Sequence, residues 1–444
     1  MKILLCLHHF LPEFVGGTEI YTLQLALYLK QAGIEPVILI PHFDNTITSE
    51  YVYEGIRVIR YAEASVEDRN MIMGKKKPDG LSAFADVLKK EQPAIIHFHE
   101  LAPGRGINIF HVEKAHELHI PIVLTFHLSY YTCIKGSLIY KDEQKCDGEI
   151  KIKRCTECVY QSKNITGIKA KLLNTAALAL YNAGINPTSL NSSMGTALGF
   201  PFVISKIKND LLKLSKLADK IVVLADWYKE VLQKNNVPPG KLVSIKQALP
   251  GTVPSLPVTA PISFPLKVVY IGRISKLKGL HLLINAICTL PENMITLHIY
   301  GPETEDSYVT ACKQQSAAKN NIHWMGTIPS EQVIQELSNY HVLCLPSDFE
   351  MSPLVIREAF AAGLPVLASD VYGNAEQITD GVNGWLFRVK ESNDLAEKLN
   401  YLTADLSRVE KARLHLPGSD NFKGVADKHA ELYTSIVNKQ KAIS

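Results

Sequence analysis

The chain has little net charge, no long apolar run and an opening stretch that is not expected to be an export leader, and each point narrows what it can be. Its formal net charge is +3 over 444 residues. That is too small to argue for a nucleic-acid partner, so only local clusters of charge can carry information. No uninterrupted apolar stretch approaches the roughly 20 residues a membrane-spanning helix needs. The opening Met1–Leu7 is apolar but shorter than a signal-peptide core, and no small-residue cleavage site follows it; it reads as a first strand. The expectation is a cytoplasmic protein, at most peripheral to the inner face of a membrane. In that compartment its eight cysteines are expected as free thiols or metal ligands rather than disulfides.

What is present is a globular composition, 46% hydrophobic and 20% charged, in a chain long enough for two domains. Short apolar runs at Ile3–Leu7, Pro36–Ile40, Ala94–Phe98, Ile122–Phe126 and Ile221–Leu224 read as buried strands, with a helix over Thr18–Ala32. Strands apolar on both faces and separated by helices predict a parallel sheet in an α/β layer fold. The pattern breaks at Leu249–Leu266, where five prolines exclude a helix or a central strand and mark a stiff linker. It then restarts with strands at Lys267–Ile271, Ile295–Gly301, Ile322–Met325, Val342–Pro346, Val366–Ser369 and Trp385–Phe387. The expectation is therefore two Rossmann-like domains, 1–248 and 267–420, facing each other across a cleft, with 249–266 as linker. A closing helix at 421–444 would return to the first domain. Ligands of such sheets bind beyond the carboxyl ends of the strands.

Three motifs lie at such ends. Gly16-Gly17 precedes the first helix, where exposed N–H groups attract substrate oxygens; a plain tight turn reads the same way. Gly272-Arg273-Ile-Ser-Lys276-Leu-Lys278-Gly279 follows a strand and carries three cations suited to phosphate, Lys276 being the one best explained as solvated. Ser347–Gly363 places Glu350 in a loop, Pro353 in the first turn of a helix and Glu358 further along it. A carboxylate accepts two hydroxyl hydrogen bonds at once, which suits a sugar diol. Taken singly, either Glu could be a solvated surface residue, but Ala359, Phe360, Ala361 and Ala362 argue that Glu358 sits on a packed helix.

With YIGRISKLKG, LPSDFEMSPLVIREAFAAGLPVLASD and Glu376 in NAEQITDGVNGWLF, this set resembles the retaining glycosyltransferases of the GT-B fold, family 4. The resemblance covers nearly the whole chain and is strongest from Val268 to Phe387. It implies a nucleotide-sugar donor, UDP- or GDP-linked, and a glycan or lipid-linked glycan acceptor in polysaccharide biosynthesis. Arg273 and Lys278 would neutralise the donor diphosphate, Glu358 would hold the ribose and Glu350 the transferred sugar. Ser352, Pro353, Leu354 and Val355 would face the donor, with Gly16 and Gly17 beside it. His127, in Thr125-Phe126-His127, matches the family's active-site histidine, although a hydrogen-bonded core histidine is its other reading. Transfer would retain configuration, by departure and attack on one face of the ring. The metal-dependent architecture usually shows Asp-x-Asp, which this sequence lacks, so no cofactor is expected in the chemistry. Two departures stand out: Gln247–Gly251 replaces a Pro-Asn-Gly turn, and Leu128 replaces the Asp that commonly follows the histidine in the cysteine-bearing subgroup. The alternatives are a nucleotide-sugar epimerase or a non-catalytic nucleotide-sugar-binding protein of the same fold.

Two further features stand outside that set. Cys133, Cys146, Cys155 and Cys158, spaced C-x12-C-x8-C-x2-C, have the composition of a structural zinc site, with four reduced thiols or a labile disulfide as the other readings. Lys169–Ala183 is a basic, Ala/Leu-rich segment followed by a small-residue loop at Pro187–Gly199. It can lie on a bilayer surface or pack on its own domain.

Overall fold

The computed structural model describes residues 1–63, 69–72, 75–103, 106–250, 261–418 and 420–442. Two compact units emerge. The first gathers Met1–Asp142, Cys146–Lys246 and Phe422–Ser444, and the second Glu143–Lys145 and Gln247–Asn421. Of the five prolines expected to form the linker, Pro254 and Pro257 fall within 251–260, outside the described residues.

In the first unit an eight-stranded sheet runs Leu242–Ser244, Lys220–Val223, Ile122–Thr125, Ile95–Phe98, Lys2–Cys6, Glu35–Phe43, Ile56–Glu63 and Ser49–Tyr53. All neighbours are parallel except the last pair, a hairpin. The expected strands are present to within a few residues. Ser49–Tyr53, Ile56–Glu63 and Leu242–Ser244 were not expected. The hairpin turns on Glu54 and Gly55, both at positive φ (47° and 75°), as a two-residue primed turn requires. Its outer strand is half-exposed and mixed in polarity, so it lacks the apolar run that revealed the others.

Helix Gly17–Gln31 buries Tyr21, Leu25 and Leu29, one stripe at helical spacing. The C-terminal helix Phe422–Lys441 belongs to this same unit. Phe422 meets the edge of the Tyr21 ring with centroids 5.1 Å apart, and the Tyr433 hydroxyl lies 2.6 Å from His97 Nδ1.

The second unit is a six-stranded parallel sheet ordered Ile322–Gly326, Ile295–Tyr300, Leu266–Ile271, Val342–Leu345, Val366–Ser369 and Gly384–Phe387. Numbered along the unit, that order is 3-2-1-4-5-6, the doubly wound arrangement. Side chains alternate between two cores: Leu266, Val268 and Tyr270 enter one and Val269 the other. The α/β expectation of parallel sheets holds in both units.

Candidate active site

In a doubly wound sheet the crevice opens where strand order reverses. In the second unit that point lies between Leu266–Ile271 and Val342–Leu345, which pair directly at Val268–Val342. Two of the three motifs leave from these neighbouring strand ends. The loops are joined by backbone: the Asp348 N–H donates to Leu277 O at 2.8 Å. Gly279 permits the approach. Its φ is +68°, and a Cβ there would sit 2.1 Å from Pro346 O.

The juncture brings Lys278 onto Glu350, Nζ to Oε1 2.6 Å, with the side chains only 20% and 9% exposed. The two residues were assigned separate duties from sequence; in the structure they are ion-paired. Gly373 holds the carboxylate's backbone, donating its N–H to Glu350 O at 3.2 Å, and a Cβ there would come within 2.3 Å of that oxygen. Arg273 and Lys276 are exposed on the same loop. The Arg273 carbonyl accepts from the Tyr270 hydroxyl at 2.8 Å, and the Lys276 N–H donates to Glu305 at 3.0 Å.

The helix beyond the loop spans Leu354–Ala361, one residue later than expected, because Pro353 stands at its N-cap in an extended conformation. No side chain caps it. Its first N–H groups, Leu354 and Val355 among them, therefore have no intrahelical acceptor and suit an anion or hydroxyl oxygens. Ser352 is partly buried just before it. Glu358 lies on this helix, and burial alone lifts its carboxyl to about 7. Behind the loop, Asn374 donates to Ser369 O at 3.0 Å and Ser369 donates to Ser347 O.

The first unit has its own strand-end cluster. Gly16 caps helix Gly17–Gln31 without a side-chain bond; a Cβ there would meet the Glu19 carboxylate at 2.6 Å, whereas Gly17 is open. His127 follows strand Ile122–Thr125 and is buried, its Nε2 3.4 Å from His99 Nδ1 and its ring 5.1 Å from Tyr21. His97 bridges Tyr433 Oη (2.6 Å) and Thr125 Oγ1 (2.7 Å), and His429 stacks beside it at 5.6 Å. Burial pushes His127 and His429 down to about 4 and holds His97 and His99 well below the ordinary range. All four are neutral at pH 7 and act as hydrogen-bonding rings, not cations. His97 and His99 were missed in the sequence, although alternation along Ile95–Phe98 puts them on one face.

Cys133, Cys146, Cys155 and Cys158 all line one small cavity of about 30 Å³ in the first unit. Burial raises Cys146 and pushes the Cys155 thiol to about 11. The Lys141 N–H donates to Cys158 Sγ at 3.2 Å. Among the described residues, no group of three His, Cys, Asp or Glu is arranged to hold a metal ion.

Two family profiles match this sequence. The one described as Glycosyl transferases group 1 covers residues 262–413, and Glycosyltransferase Family 4 covers residues 15–157, together about two thirds of the chain. The chain belongs to the group 1, family 4 glycosyltransferases. Within the family it is 28% identical over 228 residues to the O-antigen biosynthesis glycosyltransferase WbnH of Escherichia coli, covering 50% of this chain and 61% of that one. The chain spans about half the length of the curated relatives it matches. Among solved structures, sucrose-phosphate synthase from Thermosynechococcus elongatus superposes with a TM-score of 0.64 at 18% identity over 100% of both chains. HepE of Anabaena, in complex with UDP and glucose, gives 0.60 at 15% identity over 98% of this chain and 100% of that one. These likenesses establish the GT-B fold. No described helix is long and apolar enough to cross a membrane.

Proposed function

We propose that the chain is a retaining transferase that moves a sugar from a nucleotide-diphosphate sugar to a glycan or lipid-linked glycan. The observation that carries this reading is the strand-end juncture of the second unit. There Lys278 is paired with Glu350 just before a helix start that no side chain caps, and the buried Glu358 lies further along that helix. Lys278 can spend one N–H on Glu350 and turn the others to phosphate oxygens, with Arg273 adding a second charge. Glu350, fixed by that pair, accepts hydroxyls of the transferred sugar. Glu358, already desolvated, accepts the ribose diol. The free amides at Leu354 and Val355 complete the polar lining.

In the transfer the bond from the anomeric carbon to the diphosphate breaks and a bond to the acceptor oxygen forms on the same face. The acceptor's proton passes to the departing phosphate oxygen. Charge grows on the diphosphate, and preplaced cations and amides stabilise it without reorganising. His127, neutral by burial, would orient the sugar by hydrogen bonding. The four cysteines line one cavity but are not arranged here as a metal site; a structural zinc there would have to draw them together, pinning the 133–158 segment and taking no part in the chemistry. The UDP seen in HepE and the O-antigen role named for WbnH favour a UDP-sugar and a surface-glycan acceptor by analogy.

A thermal-shift panel of UDP, GDP and ADP identifies the base, because only a ligand of the native state raises the midpoint. Transfer of labelled sugar to an acceptor extract is then expected, and Glu350→Gln or Lys278→Ala should abolish it while the chain stays folded. Near-normal turnover in both variants would refute the site. Isomerisation of the donor without transfer would favour the epimerase, and binding without turnover the non-catalytic reading.

A further inference from the structure

From Cys158 to Asn209 the chain runs 52 residues without an Asp or Glu, while carrying Lys163, Lys169, Lys171, Lys206 and Lys208. Helix Gly167–Asn182 lies in this stretch and packs on Ile152–Ser162, Ser193–Leu198 and Phe200–Leu217. For a helix that packs on three others it buries little: Asn174 and Ala177 alone among its sixteen residues. Some of its large apolar side chains turn outward. Ile168 and Leu172, one helical turn apart, are 76% and 67% exposed, with Lys169 and Lys171 exposed beside them. The following segment repeats the pattern, with Ile185, Leu190 and Met194 all more than half exposed.

Single exposed apolar side chains are ordinary, but a concentration of them marks a contact surface. Charge decides what the contact is. A second copy would set the same acid-free, lysine-bearing face against itself, which like charges oppose. An anionic bilayer supplies what the face lacks, since acyl chains take the isoleucine and leucines and lipid phosphates take the lysines. At sixteen residues the helix can lie on a membrane but not span one.

We propose that Ile168–Met194 is a peripheral membrane-binding face, seating Ile168, Leu172, Ile185, Leu190 and Met194 at the acyl boundary of an anionic leaflet. Lys163, Lys169 and Lys171 meet the headgroup phosphates. The proposal is independent of the donor reading, since vesicle binding and sugar transfer are measured separately.

The test is co-sedimentation of the whole chain with phosphatidylcholine vesicles, with and without phosphatidylglycerol, at low and raised salt. Binding is expected with phosphatidylglycerol and should weaken with salt. An Ile168→Glu/Leu172→Glu variant and a Lys169→Gln/Lys171→Gln variant should each lose about tenfold in partitioning. Both should keep the parent's thermal midpoint, because the side chains changed are exposed. Absence of binding to anionic vesicles would overturn the proposal, as would parental binding by both variants. So would a dimer in solution that Leu172→Glu splits, which would assign the face to a second copy.

Discussion

The two units gather candidate site residues around the carboxyl ends of parallel strands, yet with opposite chemistry. In the first, His97, His99, His127 and His429 are buried together and kept neutral. In the second, Glu350 is locked to Lys278 and Glu358 is raised by burial alone. The same architecture therefore holds a buried cluster of neutral rings in one case and carboxylates with an ion-paired cation in the other. The strands supply a common frame, and the side chains gathered around their ends choose its chemistry.

The largest expected effects test that division. Lys278→Ala should cost at least about a hundredfold in transfer through loss of charge stabilisation on the diphosphate. It should also reduce the thermal shift given by the nucleoside diphosphate. His127→Ala should lower kcat by a similar factor but leave that thermal shift unchanged. Equal loss of nucleotide binding in both variants would erase the distinction between the units.

Next comes pH. Unfolded histidines protonate near 6.5, whereas His127 and His429 in the fold do so only at about 4. Between those values the unfolded chain binds more protons, so stability present above pH 6.5 is lost as pH falls toward 4. Glu358 acts in the opposite sense. Its carboxyl ionises at about 7 in the fold against 4.5 unfolded, so its contribution is full below 4.5 and lost as pH rises to 7. His429→Gln should therefore flatten the acid limb of a midpoint-versus-pH curve by several degrees, and Glu358→Gln the neutral limb. Unchanged limbs would show that these groups do not set the pH response.

A backbone test is local to the second unit. Gly279→Ala forces a side chain into a left-handed position and against Pro346 O, and should cost about 2 kcal/mol or more in chemical denaturation. Gly17→Ala in the first unit, with nothing within 4 Å, should cost no more than a few tenths. The smallest effect on turnover concerns the cysteines. Metal analysis of purified chain should give about one zinc per chain if the four cysteines hold one. Less than one zinc per two chains would remove that idea, and with it the pinning role given to 133–158.

Much of this was legible before any coordinates. Buried parallel strands appear as continuous apolar runs, so Val342–Leu345 and Val366–Ser369 could be placed almost to the residue. The edge hairpin Ser49–Glu63 could not, because both of its strands carry mixed side chains and their signal was two residues of turn. In the site, residue types at strand ends pointed to Lys278, Glu350 and Glu358. That Lys278 and Glu350 would pair depended on Gly279 letting one loop touch Pro346 across a strand gap, a contact between positions 67 residues apart.

By itself the sequence determined the α/β class, the restart after the proline-rich stretch, the family and the carboxylates and cations of the candidate site. These depend on local composition and on side chains adjacent in the chain. Tertiary structure alone decided which charges would pair and that four histidines from two strand ends and the C-terminal helix would share one buried cluster. It also decided that Ile168 and Leu172 would face outward. Burial and pairing are properties of neighbours in space, and a helix with apolar residues around much of its circumference does not announce which side its partners will take.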